Sequence, residues 1–233
     1  YFLMYRGKAR EIFKNSVVRL IVVLSLAGSA IVVLNLYILH TISLFDAVRM
    51  GTFCTVSGLT TTGFQNSSLL WLPLPLLVIM LLMLIGGASG STAGGIKANR
   101  IILGYEGLVW WFKRLFVRGS VMVPFKHEGR NIPAKLSELE LSKNMLIISL
   151  YLLTVIVAVI LALHLARTQF EVYQVTFEVI SAVANNGMSF GYLTATSPVT
   201  VKWLFILVMW IGRLEILPVL ILIGGLVRGF DLR

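Results

Sequence analysis

Residues 20–39 and 145–163 contain no charged side chain. At about 1.5 Å of rise per residue, a helix over either stretch matches the hydrocarbon core of a bilayer. In that solvent each backbone polar group needs a partner inside the protein, which a helix provides within the segment. The composition points the same way: the 233 residues are 58% hydrophobic and 13% charged, whereas soluble domains carry about 25% charged residues. The mean hydropathy is +0.90. A chain this apolar is expected to be an all-α integral membrane protein in contact with lipid.

Two more apolar runs are interrupted. Residues 69–87 carry Pro73 and Pro75 in their first turns, where proline is tolerated. Residues 203–226 carry Arg213 and Glu215. These runs are expected as the second and fourth spanning helices. Residues 44–56 and 170–184 are too short to span and are expected to dip into the bilayer and return. Asp46 and Glu171 stand near their starts, where a carboxylate suits a helix N-terminus.

Each dipping segment leads into a polar turn. The first holds Thr60, Thr61, Thr62, Gly63 and Phe64; the second holds Ala184, Asn185, Asn186, Gly187 and Met188. Three threonines and a glycine make poor buried helix, since threonine is β-branched and glycine loses the most backbone entropy. Non-helical backbone at membrane depth lines a cavity or is buried in protein. Threonine carbonyls and hydroxyls beside a permissive glycine can replace the water shell of a cation; a polar surface loop between two helices is the plainer alternative.

The second run ends in a ten-residue stretch with five glycines, 86–95 (GGASGSTAGG). It lacks the Gly-Lys-Ser/Thr spacing of a phosphate loop, and no strand precedes it. Gly86, Gly90 and Gly94 recur every fourth residue, which also fits close packing of helices. The preferred reading is an unwound, flexible segment inside the membrane. A helix then resumes over 96–116, and residues 119–143 read as a polar connector with room for a short hairpin.

The halves repeat. Thr52, Phe53, Ser57 and Gly63 recur as Thr176, Phe177, Ser181 and Gly187, all 124 residues on; Ile85-Gly86 recurs as Ile211-Gly212 at 126. Fixed-offset similarity of this kind marks an internal repeat. Each unit reads as helix, dipping helix, polar turn, helix, and the two units are parallel. Five basic residues lie in 1–19 and nine in 97–143, against only Arg49, Arg167 and Lys202 in the segments on the other side. The positive-inside rule then places both chain ends in the cytoplasm and both turns outside.

With these motifs in view, 57–64, 86–100 (GGASGSTAGGIKANR) and 211–217 (IGRLEIL) resemble the Trk/Ktr/HKT superfamily of potassium transporters. The resemblance covers nearly the whole chain but only half the family's length. It implies two parallel helix–pore-loop–helix repeats of a potassium-channel-like fold, the third and fourth of four. The third would occupy 1–118, a cytoplasmic connector 119–143, and the fourth 144–233. Potassium would be the transported ion, bound by backbone carbonyls of Thr60, Thr61, Thr62, Gly63 and Phe64 and of Ala184, Asn185, Asn186, Gly187 and Met188. The Asn185-Asn186 pair departs from the threonine-rich pattern and leaves potassium-over-sodium selectivity open. Gly86, Gly87, Gly90, Ser91, Thr92, Gly94, Gly95 and Lys97 would form a gate loop under this filter, with Arg213 beside it. No bound cofactor is implied. The implied partners are a cytosolic ring of nucleotide-binding regulatory subunits and either a second copy or two further repeats of the same chain. The tyrosine start leads us to expect a piece of a longer protein.

Other classes fit less well. The net charge of +10 could suggest nucleic acid, but the basic residues flank the apolar runs and form no stripe. A single cysteine, Cys54, and three scattered histidines offer no disulfide or metal cluster, and no catalytic constellation is visible. A secondary transporter with a solute site at broken helices is the main rival, together with a mixed potassium and sodium pathway; a non-transporting scaffold would not need two matched turns. A charge such as Arg213 within a span usually faces a pore or a partner. An Arg213–Glu215 salt bridge is disfavoured, since residues two apart point to different faces. Arg100 is expected to be solvated, Lys97 to serve gate or surface, and Glu178 to face the pore or a buried partner. Trp71, Trp110, Trp111 and Trp203 are expected as interfacial anchors.

Overall fold

The computed structural model describes residues 15–39, 42–69, 71–116, 125–127, 130–132, 134–165 and 170–228. Helix α1 covers Ser16–Leu39, as the uncharged run requires. Asn15 Oδ1 accepts from Val17 N at 2.8 Å and satisfies a first-turn amide. Helix α2 covers Leu44–Leu59, and Ser43 caps it by accepting from Asp46 N at 3.2 Å. The dipping helix thus runs three residues past its expected end at 56.

Helix α3, Pro73–Ile85, opens with proline at its first position and stops at Gly86, whose φ of +70° no helix continues. It is shorter than the run that predicts it. Residues 86–95 are unwound, so the glycine spacing is not a helical packing face. Helix α4 covers Ala98–Phe116. Strands β1 (Phe125–His127) and β2 (Arg130–Ile132) pair antiparallel as a short hairpin in the connector. Helix α5, Ala134–Leu165, has 32 residues and is about 48 Å long at 1.5 Å per residue. It begins inside the expected connector and outreaches the bilayer core.

Helix α6 covers Val172–Val183; at its start Glu171 N donates to Gln174 Oε1 at 3.0 Å. The fourth span is not one helix. Helices α7 (Val199–Leu214) and α8 (Ile216–Arg228) meet at 108°, and Glu215 between them has φ +64°.

The packing follows the repeat. Helices α1, α2 and α3 pack on one another, as do α5, α6 and α7, while α3 meets α6 across the two units. One core runs through both, with Leu36, Cys54, Ile79, Met83, Phe177 and Val179 at 0–1% exposure. The outward faces of α1 and α5 stay apolar and exposed: Leu26 is 67% and Ile160 60% accessible. Such continuous apolar surface belongs against lipid. Trp111 and Trp203 are exposed, consistent with anchors, but Trp71 and Trp110 are buried. Trp110 packs edge-on against Phe125 at 5.9 Å and under the Arg114 guanidinium at 5.4 Å, so it joins the hairpin to α4.

Candidate functional site

The two polar turns have one geometry. Thr60 and Ala184 cap α2 and α6 at φ −80°, ψ −3° and φ −74°, ψ −3°. Thr60 N donates to Val56 O (2.9 Å), Thr61 N to Gly58 O (3.3 Å) and Thr62 N to Ser57 O (3.0 Å). At the same offset Ala184 N donates to Ile180 O (2.8 Å), Asn185 N to Ala182 O (3.0 Å) and Asn186 N to Ser181 O (2.8 Å). Thr61 and Asn185 both have φ +51°, and Gly63 and Gly187 have φ +83° and +102°. A left-handed β-branched threonine is strained, and strain of this kind collects at functional sites.

The turns also touch. A Cβ on Gly63 would lie 2.0 Å from the Asn186 carbonyl oxygen, so only glycine permits this approach. Just beyond, Gln65 Nε2 donates to Ser189 O (3.2 Å) and Ser189 N donates to Gln65 Oε1 (3.0 Å). The asparagine amides turn back into the walls. Asn186, 6% exposed, donates from Nδ2 to Gly58 O at 3.4 Å, and Asn185 Nδ2 reaches Val183 O at 3.3 Å. The first turn is open on its other flank. Thr60 and Thr62 are exposed with hydroxyls 2.5 Å apart, and Phe64 is 68% exposed where its counterpart Met188 is buried. A cavity of about 490 Å³ lies there, lined by Arg49, Phe53, Val56, Thr60, Thr62 and Phe64 among others.

The glycine-rich segment is pressed against both turns. Gly94 N donates to Thr61 Oγ1 at 3.1 Å, and a Cβ on Gly94 would lie 1.9 Å from the Ala184 carbonyl oxygen. The base of the segment is sealed by Ile96 N to Leu84 O (2.8 Å), Lys97 N to Ile85 O (2.9 Å) and Ala98 N to Gly87 O (2.9 Å). Gly86 and Gly87 stand at that base. Gly90, Ser91, Thr92, Gly94, Gly95, Lys97 and Arg213 line a cavity of about 290 Å³ together with Gly212 and Glu215.

The charges follow the expectation at Arg213 and depart from it at Arg100. Arg213 Nη1 donates to the Thr92 carbonyl at 2.8 Å. Glu215 does not pair with Arg213; its Oε1 accepts from Lys97 Nζ at 2.5 Å and its Oε2 from Arg100 Nη2. Arg100 is therefore an ion-pair partner rather than a solvated residue, with 21% of its side chain exposed. Glu178, 5% exposed, follows the buried-partner alternative: it accepts from Ser189 Oγ and Phe190 N. Sequence reasoning missed Gln65, Ser189 and the role of Glu215. The 124-residue offset itself pairs Gln65 with Ser189, and Glu215 is the one acidic residue in the last apolar run, opposite several cations.

Two helix–turn–helix units that dip and meet at matched turns define a membrane protein of the potassium-channel-like pore-loop fold. The chain matches the TrkH cation transport protein family over residues 12–225 and belongs to it. It is 32% identical, over 83% of its length and 40% of the relative's, to the uncharacterized cation transporter MJ1485 of Methanocaldococcus jannaschii. It is 31% identical to the Trk system potassium uptake protein TrkH of Escherichia coli K12, over 75% of this chain and 35% of that protein. With the Ktr system potassium uptake protein B of Vibrio alginolyticus it shares 33% identity, over 71% and 33%. The crystal structure of the potassium transporter TrkH from Vibrio parahaemolyticus superposes with a TM-score of 0.78 over 92% of this chain and 45% of that one, at 24% identity. The chain thus spans less than half the length of each of these proteins. Their names are those of transporters, not enzymes.

Proposed function

We propose that the chain supplies half of a potassium pathway across a cell membrane. Backbone oxygens of Thr60, Thr61, Thr62, Gly63 and Phe64, and of Ala184, Asn185, Asn186, Gly187 and Met188, would replace the ion's water shell. The observation that carries this is the pair of turns with one hydrogen-bond pattern, meeting at Gly63 and Asn186. Because the Asn185 and Asn186 amides bond to the helix walls, the departure from the threonine pattern leaves the backbone oxygens as the ligands. That favours potassium over a mixed cation pathway.

Half a ring cannot surround an ion. The open flank at Thr60, Thr62 and Phe64 is where the rest of the ring would sit, whether two further repeats or a second copy about a two-fold axis. The 86–95 segment under the turns would be the gate. Arg213, fixed on the Thr92 carbonyl, would place a positive charge there and raise the barrier to cations. With nine basic residues in 97–143, the loop side faces the cytoplasm and offers a docking face to a cytosolic nucleotide-binding regulatory ring.

Rubidium uptake by variants of the full-length gene product tests the filter. Gly63→Ser forces a Cβ onto the Asn186 carbonyl, and Gly187→Asp puts a side chain and a charge at φ +102°, which residues with a Cβ rarely adopt. Both are expected to abolish most uptake or alter ion preference at normal membrane abundance. Unaltered rate and preference in both would remove the filter assignment.

A further inference from the structure

Behind the outer end of the turns lies a hydrogen-bond network that touches neither the loop beneath nor the ion route itself. Glu178 stands in α6 with 5% of its surface exposed. A buried carboxylate is costly unless its oxygens are answered. Here Oε1 accepts from Ser189 Oγ at 2.5 Å and Oε2 from Phe190 N at 2.9 Å. Ser189 Oγ in turn accepts from Gly191 N at 2.8 Å. The backbone of Ser189 then passes the hold to the other repeat through its two bonds with Gln65, at 3.0 and 3.2 Å. One carboxylate on a pore helix therefore fixes the segments that leave both turns.

The first repeat uses the same positions with weaker chemistry. The 124-residue counterpart of Glu178 is Cys54, and that of Phe190 is Asn66. Cys54 Sγ donates to Asn66 Oδ1 at 3.4 Å, and Asn66 Nδ2 to Arg49 O at 3.3 Å. A thiol is a weak donor, and its 3.4 Å contact is longer than the 2.5 and 2.9 Å bonds that Glu178 accepts. The stronger tie thus lies in the second repeat, and Gln65 exports it to the first.

We propose that Glu178, Ser189 and Gln65 are positioning residues for cation discrimination: they brace the outer ends of both turns at one width without touching the ion. This rests on reading the turns as a filter. Oxygens that are free to close in would accommodate a smaller dehydrated cation, so a braced ring preserves the preference for the larger one.

The test uses the full-length gene product, with rubidium uptake and its competition by sodium measured at matched membrane abundance. Gln65→Ala alters an exposed side chain and removes only its two bonds to Ser189. Glu178→Gln keeps the volume and an acceptor for Ser189 while leaving one of the two donors unanswered. Each is expected to lower the rubidium-over-sodium preference by about fivefold, the factor carried by one hydrogen bond, with a smaller change in maximal rate. Unchanged preference, with uptake merely tracking abundance, would overturn the proposal. If Glu178→Gln fails to reach the membrane, Gln65→Ala decides alone. Should Gly63→Ser and Gly187→Asp shift preference while these variants do not, the brace falls and the filter stands; should none shift it, both fall.

Discussion

At the scale of single residues, Arg213 and Gly94 show how little room the loop has. Arg213 holds the loop through one carbonyl, that of Thr92. Arg213→Ala removes that donor together with a charge, and rubidium uptake is expected to rise with weakened ion preference. The same rate and preference as the parent would exclude a gating role. Gly94 lies against the Ala184 carbonyl with no space for a methyl group. Gly94→Ala is expected to destabilise the protein by about 1–3 kcal/mol through overpacking, read as a lower melting temperature in detergent. The repeat offset alone identifies Gly63 and Gly187. The direction of the Asn186 amide was not legible, because it depends on a carbonyl, Gly58 O, contributed by the other repeat.

At the scale of elements, α1 is written in the sequence from cap to end, since Asn15 opens it and no charge follows Arg19 in its first turn. The caps of α2 and α6 are equally local. The break between α7 and α8 is not. Pro218, three residues on, lacks the N–H that would bond Leu214 O, but no glycine or proline stands at 215 itself to set its positive φ. Glu215, at positive φ, is met there by a pair of cations, Lys97 and Arg100, more than a hundred residues away in the chain. Local periodicity cannot report a partner that only folding brings near. Glu215→Gln leaves both cations without their counter-charge and is expected to cost about 1.5–3 kcal/mol, the range for hydrogen bonds to charged groups. The Lys97→Glu, Glu215→Lys double variant should recover part of that loss in the same melting assay; no loss in the single variant would mean that the bend is held by packing alone.

For the whole molecule, the two ends of the bundle differ in charge, which makes orientation measurable. Thr196, beyond the second turn, and Phe116, at the end of α4, are both exposed, Phe116 at 86%. Cys54, the one cysteine of these 233 residues, is fully buried and adds no labelling of its own. Thr196→Cys is expected to react with an impermeant maleimide on intact cells, and Phe116→Cys only after permeabilisation. The reverse order would invert the proposed topology.

The shared register of the turns bears on how such a chain can change over time. Residues 52–63 and 176–187 form two modules whose backbone turn bonds coincide position for position, and each glycine must arrive opposite its counterpart. Insertions in the polar connector ahead of α5 leave both intact. A single deletion inside either module would rotate Gly63 or Gly187 out of step with the other, so the spacing within each is bound to its twin even though their side chains are free to diverge.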